Sequence, residues 1–316
     1  MVLDAAEAWL PARLEAVEER LRRLVEGHGR SLAADAGSTL AAGGKRLRPM
    51  LVLLSAGPGA GQAAIRAATA IELVHMATLV HDDVLDAAPL RRGRPTVVAR
   101  SGRDRALAVG DLLFSRAFAE LAGDGSEKQV ALLSRASVAL ALGELAQRQD
   151  AFDVSISADR YLKRCQLKTA RLFECACLIG RVNEEPEEVA ALEVFGREIG
   201  IAFQLLDDVL DVTGPLERTG KARGTDLMDG TVTLPLIMAR DRDPSLAEVD
   251  LARLDHGDVE AICDRIAATG VLEKVRASAR RRVELAKRAL VQGKAVDMQR
   301  RQLLELVADG VVERYS

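Results

Sequence analysis

Two copies of the pentapeptide DDVLD are the residues of this sequence best suited to chemistry. They occupy residues 82–86 and 207–211. On a helix, positions i and i+4 lie on one face, so the first and last aspartates of each copy come side by side. Carboxylate oxygens held this close suit Mg²⁺, which completes its shell with water and phosphate oxygens. The pattern predicts a magnesium site that holds a phosphate-bearing ligand.

A single DDxxD segment is explained at least as well by a solvated acidic helix end. Its occurrence twice, each time among apolar residues, favours one chemical requirement that is met twice. A calcium-binding EF-hand is set aside, because the loop glycine and the closing glutamate are missing after either copy. Two such helices facing each other across a cavity would clamp two or three Mg²⁺ ions on one diphosphate and stabilise its charge as it departs.

Two basic segments support an anionic substrate. The segment GGKRLRP at residues 43–49 puts cations after two glycines at an expected helix start, where backbone N–H groups also favour anions. The segment RRGRPT at residues 91–96 directly follows the first DDVLD. Its arginines either bind phosphate in a bidentate manner or merely balance the neighbouring aspartates.

The elements that position these residues are predicted to be helices. Apolar residues recur at helical spacing along almost the whole chain, and no alternating strand pattern is found. Hydrophobic residues make up 48% of the composition and charged residues 29%, which predicts a folded core. No linker-like segment interrupts the pattern. We expect an all-α protein, with residues 1–316 forming one large helical-bundle domain around a central cavity.

Composition also argues against several other classes of protein. The net charge of -3 and the aromatic content of 3% disfavour nucleic-acid binding. The four cysteines lack zinc-site or disulfide spacing, and Cys175 and Cys177 face different directions on a helix, so they are predicted to be core residues. The N-terminus lacks the basic start of a signal peptide, and charges interrupt the apolar region at residues 50–80. No membrane span and a cytoplasmic location are expected.

Nearly the whole chain resembles the trans-isoprenyl diphosphate synthases, also called the polyprenyl synthetase family. The segments that match, in family order, are GGKRLRP, ELVHMATLVHDDVLDAAPLRRGRPT, GDLLFSRAF, LKTARLF, FQLLDDVLDVTG, GKARGTDLMDGTVTLPLI and the VVERYS tail. The resemblance implies the type I isoprenoid synthase fold and a prenyltransferase. Such an enzyme ionises an allylic diphosphate, joins the cation to isopentenyl diphosphate and releases a proton, which passes to the freed diphosphate.

The resemblance also implies a role for each matched residue. The magnesium ligands would be Asp82, Asp83, Asp86, Asp207, Asp208 and Asp211. The diphosphate of isopentenyl diphosphate would be held by Lys45, Arg48, His75 and Arg92. The allylic diphosphate would be held by Arg91, Lys168 and Lys221, with Thr169 and Gln204 near the developing carbocation. The residues closest to the chemistry would then be Asp82, Asp207, Lys168, Thr169 and Gln204.

Some of these residues have plainer explanations. A lone histidine such as His75 on an apolar helix is often a hydrogen-bonded core residue, and only its spacing from Asp82 favours a ligand role. Lys168 and Arg171 are explained equally well as surface charges, although the KTARLF match favours a functional Lys168 and leaves Arg171 structural. His81 either tunes the aspartate that follows it or simply packs.

One position departs from the family pattern. Many members carry a lysine just after the glycine of the segment that matches DLMDG, whereas this chain has Thr231 there. We expect one phosphate contact to be weaker or missing at this edge. Arg223 is the nearby cation that would replace it.

Product length is predicted from the residues one turn before the first DDVLD. In short-chain members one or both of these positions generally carry an aromatic residue, whereas here they are Ala77 and Thr78. Small side chains leave the product tunnel open, which by family analogy predicts a product of about C30 to C50. The allylic primer would be farnesyl or geranylgeranyl diphosphate. Phe114 and Phe118 are the alternative limit, and would make the protein a geranylgeranyl diphosphate synthase.

Two competing functions remain. A terpene cyclase would carry a different second metal motif and an aromatic-rich pocket. A non-catalytic regulatory subunit of a heteromeric synthase would have lost aspartates, and all six are present here. The family is usually dimeric, so we expect a homodimer, for which the helices at residues 103–122 could supply the interface. Transient membrane contact is expected only for product release.

Overall fold

Helices form nearly all the regular structure of the protein, as its alanine- and leucine-rich periodic segments predict. The computed structural model describes residues 1–27, 30–41, 43–44, 46–91, 93–123, 126–182, 185–214, 223–292 and 296–313. The N-terminal elements are α1 (Val2–Ala5), α2 (Leu10–Glu26), α3 (Arg30–Ala41), α4 (Leu47–Ala56), α5 (Gln62–Leu85), β1 (Leu90–Arg91), β2 (Arg94–Pro95), α6 (Val97–Ser101), α7 (Arg103–Ala122) and α8 (Glu127–Gln149).

The C-terminal half continues with further helices and one π-helical segment. These elements are α9 (Ala158–Cys165), the π-helix (Gln166–Ala170), α10 (Arg171–Leu178), α11 (Pro186–Thr213), α12 (Thr225–Met228), α13 (Leu234–Arg240), two 3₁₀-helices (Pro244–Glu248 and Leu251–Arg253), α14 (His256–Ala268), α15 (Val271–Gln292) and α16 (Met298–Glu313).

A short β-hairpin interrupts the helices directly after the first DDVLD segment. Strands β1 and β2 pair antiparallel, with Leu90 opposite Pro95 and Arg91 opposite Arg94. Gly93 between them has φ +73°, a conformation that glycine adopts without steric cost. These strands were not predictable from an alternating pattern, because they are only two residues long and carry no apolar alternation. In the described residues this hairpin is the only sheet.

The chain folds into two compact units, and each is assembled from segments that are distant in sequence. The first contains residues 1–137, 172–193 and 290–307, and the second contains residues 138–171, 194–289 and 308–316. The prediction of one domain over residues 1–316 therefore stays a prediction. Each unit has its own buried apolar core.

The core of the first unit is built around α5. This helix has no glycine or proline in its length, and it ends where Ala87 adopts φ +49° and Pro89 follows. Ile71, Leu73 and Ala77 are fully buried on it. Helix α7 packs along α5, and the backbone comes so close at Gly110 that a Cβ atom there would lie 2.2 Å from His81 Nε2.

The second unit has a core of buried residues from α9, α11, α14 and α15. Tyr161, Ile199, Leu205 and Ile266 are at most 1% exposed. Helix α8 and the π-helix meet at Gly143, where a Cβ atom would lie 2.5 Å from the backbone nitrogen of Lys168. The sequence therefore needs glycine at this crossing, because backbone cannot yield as a side chain does.

Within the described part of the chain, two helices are long and apolar enough to cross a bilayer by length and composition alone. They are α5 and α8, whose most apolar windows are 72% and 39% buried. Burial identifies α5 as a core helix, which passes the same test as a membrane span. Helix α8 is different, because Val138, Leu142 and Leu145 on it are each more than half exposed.

Candidate active site

The first acidic motif lies at the C-terminal end of α5, in the first unit. Asp82 is half-buried, Asp83 is 5% exposed, and Asp86 forms the C-terminal cap of the helix. Asp83 has a defined cationic partner, because Arg91 Nε from β1 donates to its Oδ1 at 2.8 Å. The middle aspartate is therefore committed to an ion pair, while the first and last aspartates are more accessible.

The second acidic motif lies at the C-terminal end of α11, in the second unit. Asp207 is exposed, Asp208 is 1% exposed, and Asp211 is half-buried. Asp211 Oδ2 accepts from the backbone nitrogen of Asp226 at the start of α12, at 3.2 Å. Here too the middle aspartate is the buried one.

Both motifs occupy the helix end that is least favourable for negative charge. The carbonyl groups of the last turn give a helix C-terminus a partial negative charge, so carboxylates there are repelled unless a cation compensates them. The chain places three aspartates at each of these ends. A bound cation would stabilise these carboxylates further.

Buried Asp208 is held by neutral donors instead of an arginine. The Tyr161 hydroxyl donates to its Oδ2, and Gln204 Nε2 donates to its Oδ1 at 2.8 Å. Burial, together with the nearby charges of Asp226 and Asp207, raises the pKa of Asp208 to about 8. The hydrogen bonds from Tyr161 and Gln204 act in the opposite direction and favour the ionised form.

The aspartates at these helix ends suit a Mg²⁺ ion that is also bound by a substrate better than they suit an ion bound by protein ligands alone. Among the described residues, no group of three or more histidine, cysteine or acidic side chains converges on one point to hold a metal ion. Mg²⁺ is ordinarily bound by oxygen atoms alone: those of one or two carboxylates, of water and of substrate phosphates. The accessible carboxylates of Asp82, Asp86 and Asp207 supply donors of that kind.

Arg48 is a half-buried cation at the start of α4, and its Nε atom is buried. Its guanidinium lies 4.6 Å from the centre of the Phe173 ring, a cation–π distance. Burial lowers the pKa of Arg48 to about 10, although attraction to Glu72 opposes this shift. Its Nε makes no hydrogen bond to the described residues, and it lies in the first turn of α4, at the positive end of that helix. A half-buried cation at a helix N-terminus, with one buried N–H group that makes no hydrogen bond to the described residues, is well suited to an anion.

Arg46, by contrast, is engaged in structural ion pairs. Its guanidinium donates to Glu72 Oε1 at 2.7 Å and also pairs with Glu18 on α2. Burial raises the pKa of Glu72, and the two arginines counteract that shift. Lys45, Arg92 and Lys221, which were also predicted to bind diphosphate, lie outside the described residues.

The remaining first-unit predictions all fall on α5. His75 is half-buried one turn after Glu72. Ala77 is fully buried, and Thr78 is half-buried with its hydroxyl donating to the backbone oxygen of His75 at 2.8 Å. The structure therefore brings Arg48, Glu72 and the α5 residues into the same unit as the first acidic motif.

A π-helix carries Lys168 and Thr169, and no pattern in the sequence predicted it. The π-helix runs from Gln166 to Ala170, and such segments are rare and often mark functional sites. Lys168 Nζ donates to Glu144 Oε2, and Arg148 also pairs with Glu144. The Lys168 and Arg148 cations lower the pKa of Glu144 against its burial. Thr169 Oγ1 donates to Gln204 Oε1 at 2.8 Å.

Sequence reasoning missed several residues that hold the predicted ones. Tyr161, Glu144, Phe173 and Glu72 contact or attract Asp208, Lys168 and Arg48, as described above. No sequence motif identifies these residues, because they contact the predicted site residues only after folding brings distant segments together. The one available signal was the polar residue Glu72 inside an otherwise apolar stretch.

Arg223, expected to replace the missing lysine, has other partners. Its guanidinium donates to Asp264 at 2.7 Å and to Glu260 at 3.2 Å on α14, and its Nε donates to the Val212 carbonyl. The Thr231 backbone donates to the Asp226 carbonyl at 2.7 Å. This edge of the second unit thus gathers acidic residues, and its arginine is already paired.

Comparisons with known proteins agree with this geometry. A family model described as polyprenyl synthetase matches residues 30–264. Component 2 of heptaprenyl diphosphate synthase from Geobacillus stearothermophilus is 38% identical over 87% of this chain and 88% of its own length. Octaprenyl diphosphate synthase from Escherichia coli is 37% identical over 78% of this chain and 80% of its own.

A solved structure extends the comparison to the whole chain. The crystal structure of polyprenyl synthase from Caulobacter crescentus, complexed with calcium and isoprenyl diphosphate, superposes with a TM-score of 0.91 and 33% identity over 100% of this chain and 97% of that one. The chain belongs to the polyprenyl synthetase family, and it is a prenyltransferase. The prediction of the all-α isoprenoid synthase fold is confirmed.

Proposed function

We propose that this protein is a magnesium-dependent all-trans polyprenyl diphosphate synthase, which adds isopentenyl diphosphate head to tail to an allylic diphosphate. The observation that carries the proposal is the pair of DDVLD motifs, each at the negative end of a long helix. Oxygen donors alone at such ends favour Mg²⁺ bridged to a diphosphate. Names of the relatives described above, heptaprenyl and octaprenyl diphosphate synthase, support the same activity.

Bound Mg²⁺ would neutralise the allylic diphosphate and make it a better leaving group. Asp82, Asp86 and Asp207 are the ligands that we favour, because they are more accessible than Asp83 and Asp208. In this proposal Lys168 and Arg91 orient the same diphosphate as cations. In the structure Lys168 donates to Glu144 and Arg91 donates to Asp83.

Isopentenyl diphosphate would be held by the cations of the first unit. Arg48 is the cation that we favour, because its Nε atom is buried without a hydrogen bond to any described residue and burial lowers its pKa to about 10. A diphosphate would restore the hydrogen bond that its Nε lacks. We assign His75, Lys45 and Arg92 to the same ligand by family resemblance.

The reaction balances without any further reactant. The allylic C–O bond breaks, and its electron pair leaves with the diphosphate. The isopentenyl double bond attacks the carbocation to form a C–C bond, and a proton then passes to the released diphosphate. Thr169 and Gln204 contribute fixed polar atoms beside the positive charge.

This activity has a direct test. The purified chain, supplied with Mg²⁺ and farnesyl or geranylgeranyl diphosphate, is expected to incorporate labelled isopentenyl diphosphate and to stop when EDTA is added. A regulatory subunit would incorporate nothing when purified alone. A terpene cyclase would release a hydrocarbon without consuming isopentenyl diphosphate.

A long product, of about C30 to C50, is part of the proposal and rests on the small residues of α5. Ala77 is fully buried on α5. In this proposal a phenylalanine there would block the path along which the product chain grows. Ala77→Phe is expected to shorten the product seen by thin-layer chromatography, whereas Ala99→Phe on the exposed face of α6 should not. An unchanged product length would rule out this position as the limit.

The geranylgeranyl alternative makes a different prediction. Phe114 and Phe118 on α7 are half-buried, and their ring centres lie 5.8 Å apart. If this pair closes the tunnel, Phe114→Ala will lengthen the product and Ala77→Phe will leave it unchanged. The two substitutions therefore distinguish the two limits.

We also propose that the protein works as a cytoplasmic homodimer. The exposed apolar residues Val138, Leu142 and Leu145 lie three and four positions apart on α8, so they form one stripe that a second copy would cover. The predicted interface at residues 103–122 remains a proposal. Sedimentation at micromolar concentration tests the dimer, and flotation with lipid vesicles tests transient membrane contact.

A further inference from the structure

A buried polar contact in the second unit joins a tyrosine to the second acidic motif. Tyr161 is 1% exposed, and its hydroxyl donates to Asp208 Oδ2. A phenol ordinarily titrates at about pH 10 and so keeps its proton at neutral pH. Tyr161 is therefore a permanent donor toward this carboxyl group.

The same carboxyl group determines how Gln204 is oriented. Gln204 Nε2 donates to Asp208 Oδ1 at 2.8 Å. The Gln204 amide therefore turns its NH₂ group to Asp208 and its carbonyl oxygen toward Thr169. That carbonyl oxygen accepts from Thr169 Oγ1 at 2.8 Å.

The hydrogen bonds therefore run in one direction from Asp208 to Thr169. Thr169 donates its only hydroxyl proton to Gln204. Its oxygen can therefore only accept from, or attract, a ligand through its lone pairs. An oxygen presented in this way is complementary to positive charge that develops on a substrate. An asparagine at position 208 could present its NH₂ group to Gln204, and the Gln204 amide would then turn over.

Tyr161 is itself held in one place. The guanidinium of Arg164 lies 5.5 Å from the centre of the Tyr161 ring, and Arg164 in turn donates to Asp150 at 3.2 Å and to the Val232 carbonyl. Asp150 has a second partner in Arg160 at 2.5 Å. The ring is packed, so the phenol cannot swing away from Asp208 without disturbing this cluster.

We propose that Tyr161 and Asp208 form a positioning pair that sets the orientation of Gln204 and Thr169, and that Asp208 acts through this relay instead of by binding metal. The role of the pair in catalysis rests on the proposed function. Both Asp208 oxygens already accept hydrogen bonds, and the residue is 1% exposed. Asp207, one position earlier, is exposed and is the metal ligand that we propose for this helix end.

Tyr161→Phe in the full-length protein tests the relay, because it removes one hydroxyl and leaves the ring. We expect kcat to fall roughly 10- to 100-fold, the effect of one lost hydrogen bond to a charged group. KM for both substrates should change little. Binding of Mg²⁺ with inorganic diphosphate, measured by calorimetry, should stay within about twofold, since no metal ligand is touched.

Thr69→Val is the matched control for the loss of a buried hydroxyl. Thr69 is fully buried on α5, and its hydroxyl donates to the Ile65 carbonyl of the same helix at 2.8 Å. It should lower the melting temperature as Tyr161→Phe does, but leave kcat unchanged. A normal kcat in Tyr161→Phe would show that the Tyr161 hydroxyl serves only core packing, and would overturn the proposal. A parallel fall of kcat and Mg²⁺–diphosphate affinity would make Asp208 a metal ligand, and would equally overturn the proposal.

A second measurement reports the relay without any turnover. The side-chain NH₂ signal of Gln204 in a ¹⁵N spectrum is identified by its disappearance in Gln204→Ala. It should shift in Tyr161→Phe and in Asp208→Asn but not in Thr69→Val. An unmoved signal rejects the relay even if the protein is active. An inactive wild type with a shifted signal rejects the proposed function alone.

Discussion

The two acidic helix ends have the same five residues but different neighbours. At the end of α5 the buried middle aspartate, Asp83, pairs with a cation, Arg91. At the end of α11 the buried middle aspartate, Asp208, accepts from the neutral donors Tyr161 and Gln204. An ion pair fixes charge, whereas a set of neutral donors fixes the direction of hydrogen bonds. The same pentapeptide thus serves charge balance in one unit and orientation in the other.

The accessible aspartates should matter most for activity at both ends. Asp82→Asn and Asp207→Asn each remove one accessible negative charge, so we expect kcat to fall about 100- to 1000-fold through lost stabilisation of the departing diphosphate. Asp104→Asn, exposed in the first turn of α7, is the control and should retain activity. Steady-state kinetics with saturating Mg²⁺ measure the effect. Normal turnover in Asp207→Asn would show that the accessible aspartates at the two helix ends do not have equivalent roles.

The buried aspartates should differ in what they contribute to stability. Asp83→Asn leaves Arg91 without its carboxylate, and is expected to lower the free energy of unfolding by about 1.5–3 kcal/mol, the range for hydrogen bonds to charged groups. Asp208→Asn replaces a buried carboxyl group whose pKa is raised to about 8 and which is therefore mostly uncharged at neutral pH, so the metal-free protein should lose little or no stability. Urea unfolding in EDTA measures both. Equal losses would show that the two environments do not differ in this way.

The glycines beside the two ends should differ as well. Gly143→Ala would set a Cβ atom 2.5 Å from the Lys168 backbone nitrogen, and backbone yields poorly, so we expect a loss of about 1–3 kcal/mol, as for other overpacked sites. Gly110→Ala would meet the tip of the His81 ring, which can rotate. The gain in helix propensity, about 1 kcal/mol, should offset much of that clash. Thermal unfolding ranks the two variants, and the reverse order would contradict this explanation.

Much of the fold could be predicted because its signals are local. The helical period, the absence of glycine and proline from residues 62–85, and the turn signals around them were enough for an all-α protein. The β-hairpin and the π-helix could not be predicted. Each spans only a few residues and depends on contacts with distant segments, such as that between Gly143 and Lys168.

The candidate site divides in the same way. The sequence alone determined that two DDVLD segments lie near basic residues, since identity and spacing are written in the chain. Only the tertiary structure decided which carboxylates are buried, that Arg46 is engaged with Glu72, and that Asp208 is held by Tyr161. The physical reason is that burial and hydrogen-bond direction depend on residues far apart in sequence, which only folding brings into contact.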